Sequence, residues 1–276
     1  MKTISCYILA LAALALWACE PITNIIDEAP GGNISSAGEL QATVAIVQKD
    51  GYSNIAHVHC SSPVLCSWTD GINTFVGTEG NLEVVFAGDQ TITLTARTAD
   101  GKEYTKDFPV TVASAPEPPA YYGLLFGDPN GDGKTWEWST KVAPGREAAG
   151  EKMIMAGSAP SGENRDYWGW CPEPTYVPNE GVGAKMKFTL RGKRVTKIGV
   201  DGKETGSGSL DLNMTPNSIA YSVGTITFKG TNVLCPVSGN GELGSTWTIC
   251  HLSEDLLLLF NANSSSGWYY VFTAAE

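Results

Sequence analysis

Basic side chains are scarce in this chain: 18 Lys and Arg stand against 29 Asp and Glu in 276 residues, for a net charge of −11. Nucleic-acid binding draws its affinity from many Lys and Arg contacts to phosphate. The balance therefore argues against DNA or RNA as partner, and against polybasic adhesion to an anionic membrane. Histidine is scarcer still, with three in all. His57 and His59 sit two apart on an expected strand, and with only His251 elsewhere and no CxxC pair they lack the further ligands of a zinc centre. They read as a solvated strand face. Serine, cysteine and zinc hydrolase signatures are missing, as is a Gly-rich phosphate loop. Long apolar runs are missing too: residues 8–18 fall short of the ~20 that span a bilayer. What is abundant is glycine and proline, 31 and 15 residues, which goes with short strands and many turns rather than long helices.

The apolar run follows a single Lys2 and ends at Ala18-Cys19, after which Glu20, Pro21 and Thr23 turn the chain polar. That layout predicts a cleaved secretory signal over residues 1–18. Leu16, Ala18 and Cys19 resemble the lipobox of bacterial lipoproteins, with Trp17 where a small residue is usual. The resemblance implies that Cys19 becomes the first mature residue and carries acyl chains. At ~0.8 kcal/mol per buried CH₂, these would hold the protein on the outer membrane, at the cell surface or on its periplasmic face, without a spanning helix. The competing expectation is an ordinary cleaved signal with Cys19 merely nearby. Loss of residues 1–18 removes one Lys and no acid, taking the charge to −12. Residues 19–38 read as the lipidated Cys followed by a flexible tether rich in Gly, Pro, Ser and Asn.

Beyond Cys6 and Cys19 the cysteines are Cys60, Cys66, Cys171, Cys235 and Cys250, an odd number that leaves one thiol unpaired. Proximity in sequence makes Cys60 with Cys66 and Cys235 with Cys250 the candidate pairs, but spacing does not determine connectivity. Free cysteines buried as small hydrophobes are the alternative.

From residue 39 to 113 the pattern is short strands, 40–47, 55–59, 82–86, 91–96 and 108–112, separated by Asp-Gly and Gly-Asp turns. This predicts a small antiparallel sandwich. Trp68-Thr69-Asp70-Gly71 followed by residues 86–94, Phe-Ala-Gly-Asp-Gln-Thr-Ile-Thr-Leu, resembles a PKD-type immunoglobulin-like domain. The resemblance implies a spacer or adhesive unit without a catalytic set. Residues 114–119, Ser-Ala-Pro-Glu-Pro-Pro, read as a linker because clustered prolines hold the chain extended. Residues 120–276 then carry eight expected strands, 134–140, 185–190, 195–200, 209–212, 224–229, 247–252, 256–260 and 268–272, consistent with a jelly-roll-like β-sandwich. Residues 256–260, Leu-Leu-Leu-Leu-Phe, are apolar on both faces and should be covered on both sides. The fold class expected for the whole is all-β.

Two Trp-x-Trp pairs carry the functional expectation. Residues two apart on a strand point to one face, so Trp136 with Trp138, and Trp168 with Trp170, are candidates to lie side by side as platforms for sugar rings. Arg165, Asp166 and Tyr167 stand ready to hydrogen-bond hydroxyls, as polar groups in an aromatic-lined cleft do. Core packing competes with binding, most strongly for Trp136 and Trp138; the turn-rich flanks of Trp168 and Trp170 favour a loop. Residues 133–138, Gly-Lys-Thr-Trp-Glu-Trp, with Asp166-Tyr167-Trp168 and residues 247–256 downstream, are similar to Bacteroidota surface lipoproteins that join a PKD-like domain to a C-terminal Lys-Thr-Trp sandwich. The resemblance implies an accessory protein that binds polysaccharide or oligosaccharide, alongside partner proteins of a glycan-uptake complex.

Residues 128–133, Asp-Pro-Asn-Gly-Asp-Gly, fit the first half of a calcium loop, with Asp128, Asn130 and Asp132 as candidate ligands. Ser139 replaces the closing Glu, so a plain strand connection competes with Ca²⁺. A glycosidase needs two acids ~5–9.5 Å apart; Glu137, Glu151 and Asp166 are the candidates, with no motif joining them. The expectation is a non-catalytic glycan binder, with an adhesive scaffold and a glycoside hydrolase as rivals.

Overall fold

The computed structural model describes residues 34–129, 131–139, 155–158, 161–162, 169–170, 179–234, 244–262 and 267–275. The chain divides into two compact units, one up to Pro116 and one from Glu117.

The first unit is a two-sheet sandwich of seven strands: β1 (Ala42–Lys49), β2 (Tyr52–Cys60), β3 (Leu65–Thr69), β4 (Thr74–Val76), β5 (Glu79–Glu83), β6 (Gly88–Arg97) and β7 (Glu103–Val112). One sheet has the order β1-β2-β5 and the other β4-β3-β6-β7, all antiparallel. Alternation drives the assembly. Ala56, Val58 and Cys60 from β2 meet Cys66 and Trp68 from β3 and Ile92, Leu94 and Ala96 from β6 in one core. Trp68 is fully buried, donates Nε1–H to Gly77 O at 3.0 Å and lies 5.8 Å from the Phe108 ring. The turn after it is held by Asp70, whose Oδ1 accepts from Ile72 N and Asn73 N and whose Oδ2 accepts from Val85 N. Five strands were expected here; the one at 82–86 lies earlier, at Glu79–Glu83, and Leu65–Thr69 and Thr74–Val76 were not among them.

The second unit begins with a short helix, α1 (Ala120–Phe126). Its strands are β8 (Lys134–Trp138), β9 (Met155–Ser158), β10 (Gly169–Trp170), β11 (Lys185–Thr189), β12 (Arg194–Ile198), β13 (Glu204–Asn213), β14 (Gly224–Lys229), β15 (Thr246–Leu252), β16 (Leu256–Ala262) and β17 (Gly267–Ala274). From β11 to β17 each strand pairs with the next in sequence; β8 pairs with β11 on one side and β17 on the other, closing an eight-stranded ring. β9 and β10 hang on β17 outside that ring.

The ring replaces the expected jelly-roll-like sandwich. The eight strands read from sequence are its eight staves, but a sandwich and a closed barrel share the same in–out alternation, so strand pattern alone does not separate them. Closure through the β17–β8 pairing, with Phe272 opposite Trp138, removes both free edges at once. Close approach inside the wall requires glycine at Gly208, where an added Cβ would stand 2.1 Å from Lys229 O.

The barrel interior is filled. Trp136 and Trp138 of β8 meet Phe188 of β11, Phe228 of β14, Trp247 of β15 and Tyr270 and Phe272 of β17, all at most 2% exposed. Trp138 lies 4.5 Å from the Phe272 ring, and Trp247 4.7 Å from the Tyr270 ring. α1 stoppers one end: Leu125 and Phe126 are buried, Trp136 Nε1 donates to Leu125 O, and Lys134 Nζ donates to Leu124 O and Glu254 O. Burial pulls the Lys134 ammonium below its usual pKa, against the opposing pull of Asp255 and Glu254. Leu257 and Leu259 face the interior, while Leu258 and Phe260 join Cys250, Tyr269 and Val271 in a second apolar cluster on the outer wall. Residues 256–260 are thus covered on both faces, as their composition required. Ile219 packs on that cluster, and Tyr269 Oη donates to Gly162 O.

Candidate functional site

The two tryptophan pairs part company in the fold. Trp136 and Trp138 do share one face, but that face is the barrel interior, where they are 0% and 2% exposed. As a sugar platform they are corrected to core: both indole N–H groups are spent on backbone carbonyls, Leu125 O and Glu180 O, and no ring face reaches solvent. The alternation that suggested a shared surface is the same alternation that fills a closed barrel.

Trp168, Tyr167, Asp166 and Arg165 lie outside the described residues. Trp170 is described through its backbone alone: Gly169–Trp170 forms β10, a two-residue edge strand with Trp170 opposite Met155 and Gly169 opposite Ala156. Cys19, Asn130, Glu151, Cys171 and Cys235 also lie outside the described residues.

Asp128 and Asp132 are exposed in the turn between α1 and β8. Asp128 O accepts from Gly131 N at 3.0 Å, and Gly133 holds φ +98°, where an added Cβ would stand 2.4 Å from Phe188 O. That geometry is what a tight strand connection needs. Among the described residues no three His, Cys, Asp or Glu side chains gather as a metal-holding group. His57 Nδ1 lies 3.0 Å from Asn81 Oδ1 and its Nε2 3.7 Å from Glu79, on the outer face of β2, with a side chain 43% exposed. Glu137 points outward from β8 and stands 3.4 Å from Lys185 Nζ.

Cys60 and Cys66 are free, buried thiols, and Cys250 is buried with its Sγ 3.7 Å from Ala220 O. Pairing of Cys60 with Cys66, one of the two readings of their spacing, gives way to the other: both sit as small hydrophobes in the sandwich core. Burial first, then hydrogen bonding with Cys60, pushes the Cys66 thiol up to about 12. Thiolate is the nucleophile, so at pH 8 its reactive fraction is lower than that of an ordinary cysteine by on the order of a thousandfold. Ellman's reagent is expected to leave Cys66 untouched in the folded protein and to react fully in 6 M guanidinium; fast labelling of the native thiol contradicts this.

An ion pair stands at the barrel end opposite α1. Lys197 shares the inward face of β12 with Val195, and its Nζ meets Glu180 Oε1 at 2.5 Å, with side chains 11% and 17% exposed. Glu180 O also receives Trp138 Nε1 at 2.8 Å. The signal was present in residues 194–198, where a lysine takes the second apolar position of an alternating strand. The ion pair and the indole bond together tie Glu180 to β12 and β8.

No described helix is long and apolar enough to cross a membrane. Compared with known proteins, the chain matches no protein-family model and no curated protein.

Proposed function

We propose that the protein is a lipid-anchored accessory protein of the bacterial outer membrane that binds polysaccharide without cleaving it. Trp168 and Trp170 form its stacking platform, Tyr167, Asp166 and Arg165 supply polar contacts, and Cys19 is the point of attachment. The observation that carries the reading is topological: Trp170 belongs to a two-residue edge strand outside the closed ring, whereas the other tryptophan pair is inside it. A chain segment that is not a stave is not required to fill the barrel. Arrangement of the sandwich as β1-β2-β5 over β4-β3-β6-β7, with a buried Trp68 before the Asp70-Gly71 turn, supports an immunoglobulin-like spacer of PKD type.

Affinity gel electrophoresis against plant and host glycans tests the reading. Retardation by at least one neutral glycan is expected, and its loss in the Trp168→Ala, Trp170→Ala double variant with the circular dichroism spectrum unchanged. Retardation that survives both substitutions, or none with any glycan, would sink it.

The rival scaffold reading is favoured by the burial of Trp136, Trp138, Trp247 and Tyr270 in the barrel, which withdraws these rings from a surface ligand. Acrylamide separates the two. Quenching of tryptophan emission that falls in the double variant supports binding, and complete shielding of Trp168 and Trp170 supports the scaffold.

A further inference from the structure

The few cations of this acidic chain are not spread evenly. Residues 181–200 hold six of the 18 Lys and Arg, namely Lys185, Lys187, Arg191, Lys193, Arg194 and Lys197, and no Asp or Glu. This stretch folds into the β11–β12 hairpin. Lys197 turns inward to Glu180, whereas Lys185 and Lys187 alternate outward with the buried Met186 and Phe188.

Strand register assembles the outward side chains into rows across the barrel wall. One row runs Thr135, Lys187, Thr196, Ser207; the next runs Thr189, Arg194, Ser209, Lys229; and on the other side of the first a third runs Glu137, Lys185, Ile198, Glu204. Rows are ~6.6–6.8 Å apart along a strand, and neighbours within a row ~4.8 Å apart. The first row sets one cation among three hydroxyls, and the second alternates two cations with two hydroxyls. Lys185 pairs with Glu137 and Lys229 with Asp211, but Lys187, Lys193 and Arg194 meet no acid among the described residues. A depression of about 500 Å³, lined by Gly127, Gly133, Lys134, Thr135, Lys185 and Ile198, opens on the same wall. The opposite wall differs: its outer face on β15, β16 and β17 is apolar and covered.

We propose that the outer wall of β8, β11, β12 and β13 is a binding surface for a carboxylated or sulfated polysaccharide. Lys187 and Arg194 carry the anionic groups, and Thr135, Thr189, Thr196 and Ser207 hydrogen-bond the ring hydroxyls. Charge complementarity selects a polyanion, and the interleaved hydroxyls select sugar over lipid. A lipid surface would call for exposed aromatic or large apolar side chains to insert, and the rows carry only the half-buried Ile198. The remaining acidity of the protein repels a polyanion at long range, so attachment is local and weakens with salt. The proposal stands apart from the tryptophan segment and does not depend on it.

The intact chain run in native gels containing polygalacturonate or dextran sulfate, with dextran as the neutral control, tests this. Retardation by a polyanion at low salt is expected, with the apparent Kd rising about tenfold in Lys187→Gln, Arg194→Gln. The charge-conserving Lys187→Arg, Arg194→Lys protein should bind nearly as the parent does, and Trp168→Ala, Trp170→Ala fully. No retardation by either polyanion, retardation unchanged by the Gln pair, or sedimentation with phosphatidylglycerol vesicles in the absence of polyanion binding each overturns the proposal. Loss of neutral-glycan binding in the tryptophan variant alone bears only on the platform.

Discussion

Replacing Trp136 by alanine is expected to lower the stability of the barrel by about 3–5 kcal/mol, the range for truncating a buried aromatic side chain in a packed core. Trp136 is fully buried, and three contacts go with its ring. The Nε1–H bond to Leu125 O ties α1 to β8, the Lys134 ammonium sits 4.5 Å over the ring, and Met186 is its partner across the strand pair. Removing the indole opens a cavity under the helix that stoppers the barrel and leaves Leu125 O without its donor. Urea unfolding followed by far-ultraviolet circular dichroism measures the effect. Because the chain has two compact units, the barrel transition should move to lower urea while the sandwich transition stays in place. Trp136→Phe keeps most of the volume and is expected to cost far less. A Trp136→Ala protein within ~0.5 kcal/mol of the parent would show a surface residue and contradict the core assignment.

Removing the Glu180 carboxylate should cost about 3 kcal/mol, because it strands the Lys197 ammonium in a site with 11% of its side chain exposed. The Coulomb attraction of the pair does not set this figure; the desolvated charge left behind does. Glu180→Leu with Lys197→Met is therefore expected to regain most of the loss, since an apolar pair of similar volume needs no compensation beside Trp138 and Met186. The double-mutant cycle should give a coupling well beyond the ~0.5 kcal/mol seen between independent sites. Additive single losses would mean that the two side chains act separately. The indole bond to Glu180 O is to the backbone and survives both substitutions.

Trp138 and Lys197 show the limit of a period-2 pattern. Each lies on a short alternating strand, and each occupies the face that carries its apolar neighbours: Trp138 with Trp136, Lys197 with Val195. Alternation states that two residues share a side; it does not state which side is the inside. For an open sheet the polar face is solvent and an aromatic pair on either face is ambiguous. In a closed barrel the inner face has nowhere to go but the core.

The cationic wall was legible in another way, as six basic residues without an acid in a chain where acids prevail. What sequence could not supply was the register. Whether Lys187 stands beside Thr196 or beside Arg194 depends on hydrogen bonding between strands, and a slip of one residue would turn Lys187 or Arg194 inward.

By itself the sequence determined the all-β character, the eight barrel staves and the double-sided burial of residues 256–260. These are local properties: period-2 alternation, turn residues and apolar content are written in a few consecutive positions. Tertiary structure alone decided that the staves close through β8 and β17, that Trp136 and Trp138 are core, and that Lys197 finds Glu180 at the mouth. Each joins residues distant in the chain, where pairing is chosen by the free energy of the whole assembled sheet and not by any one segment.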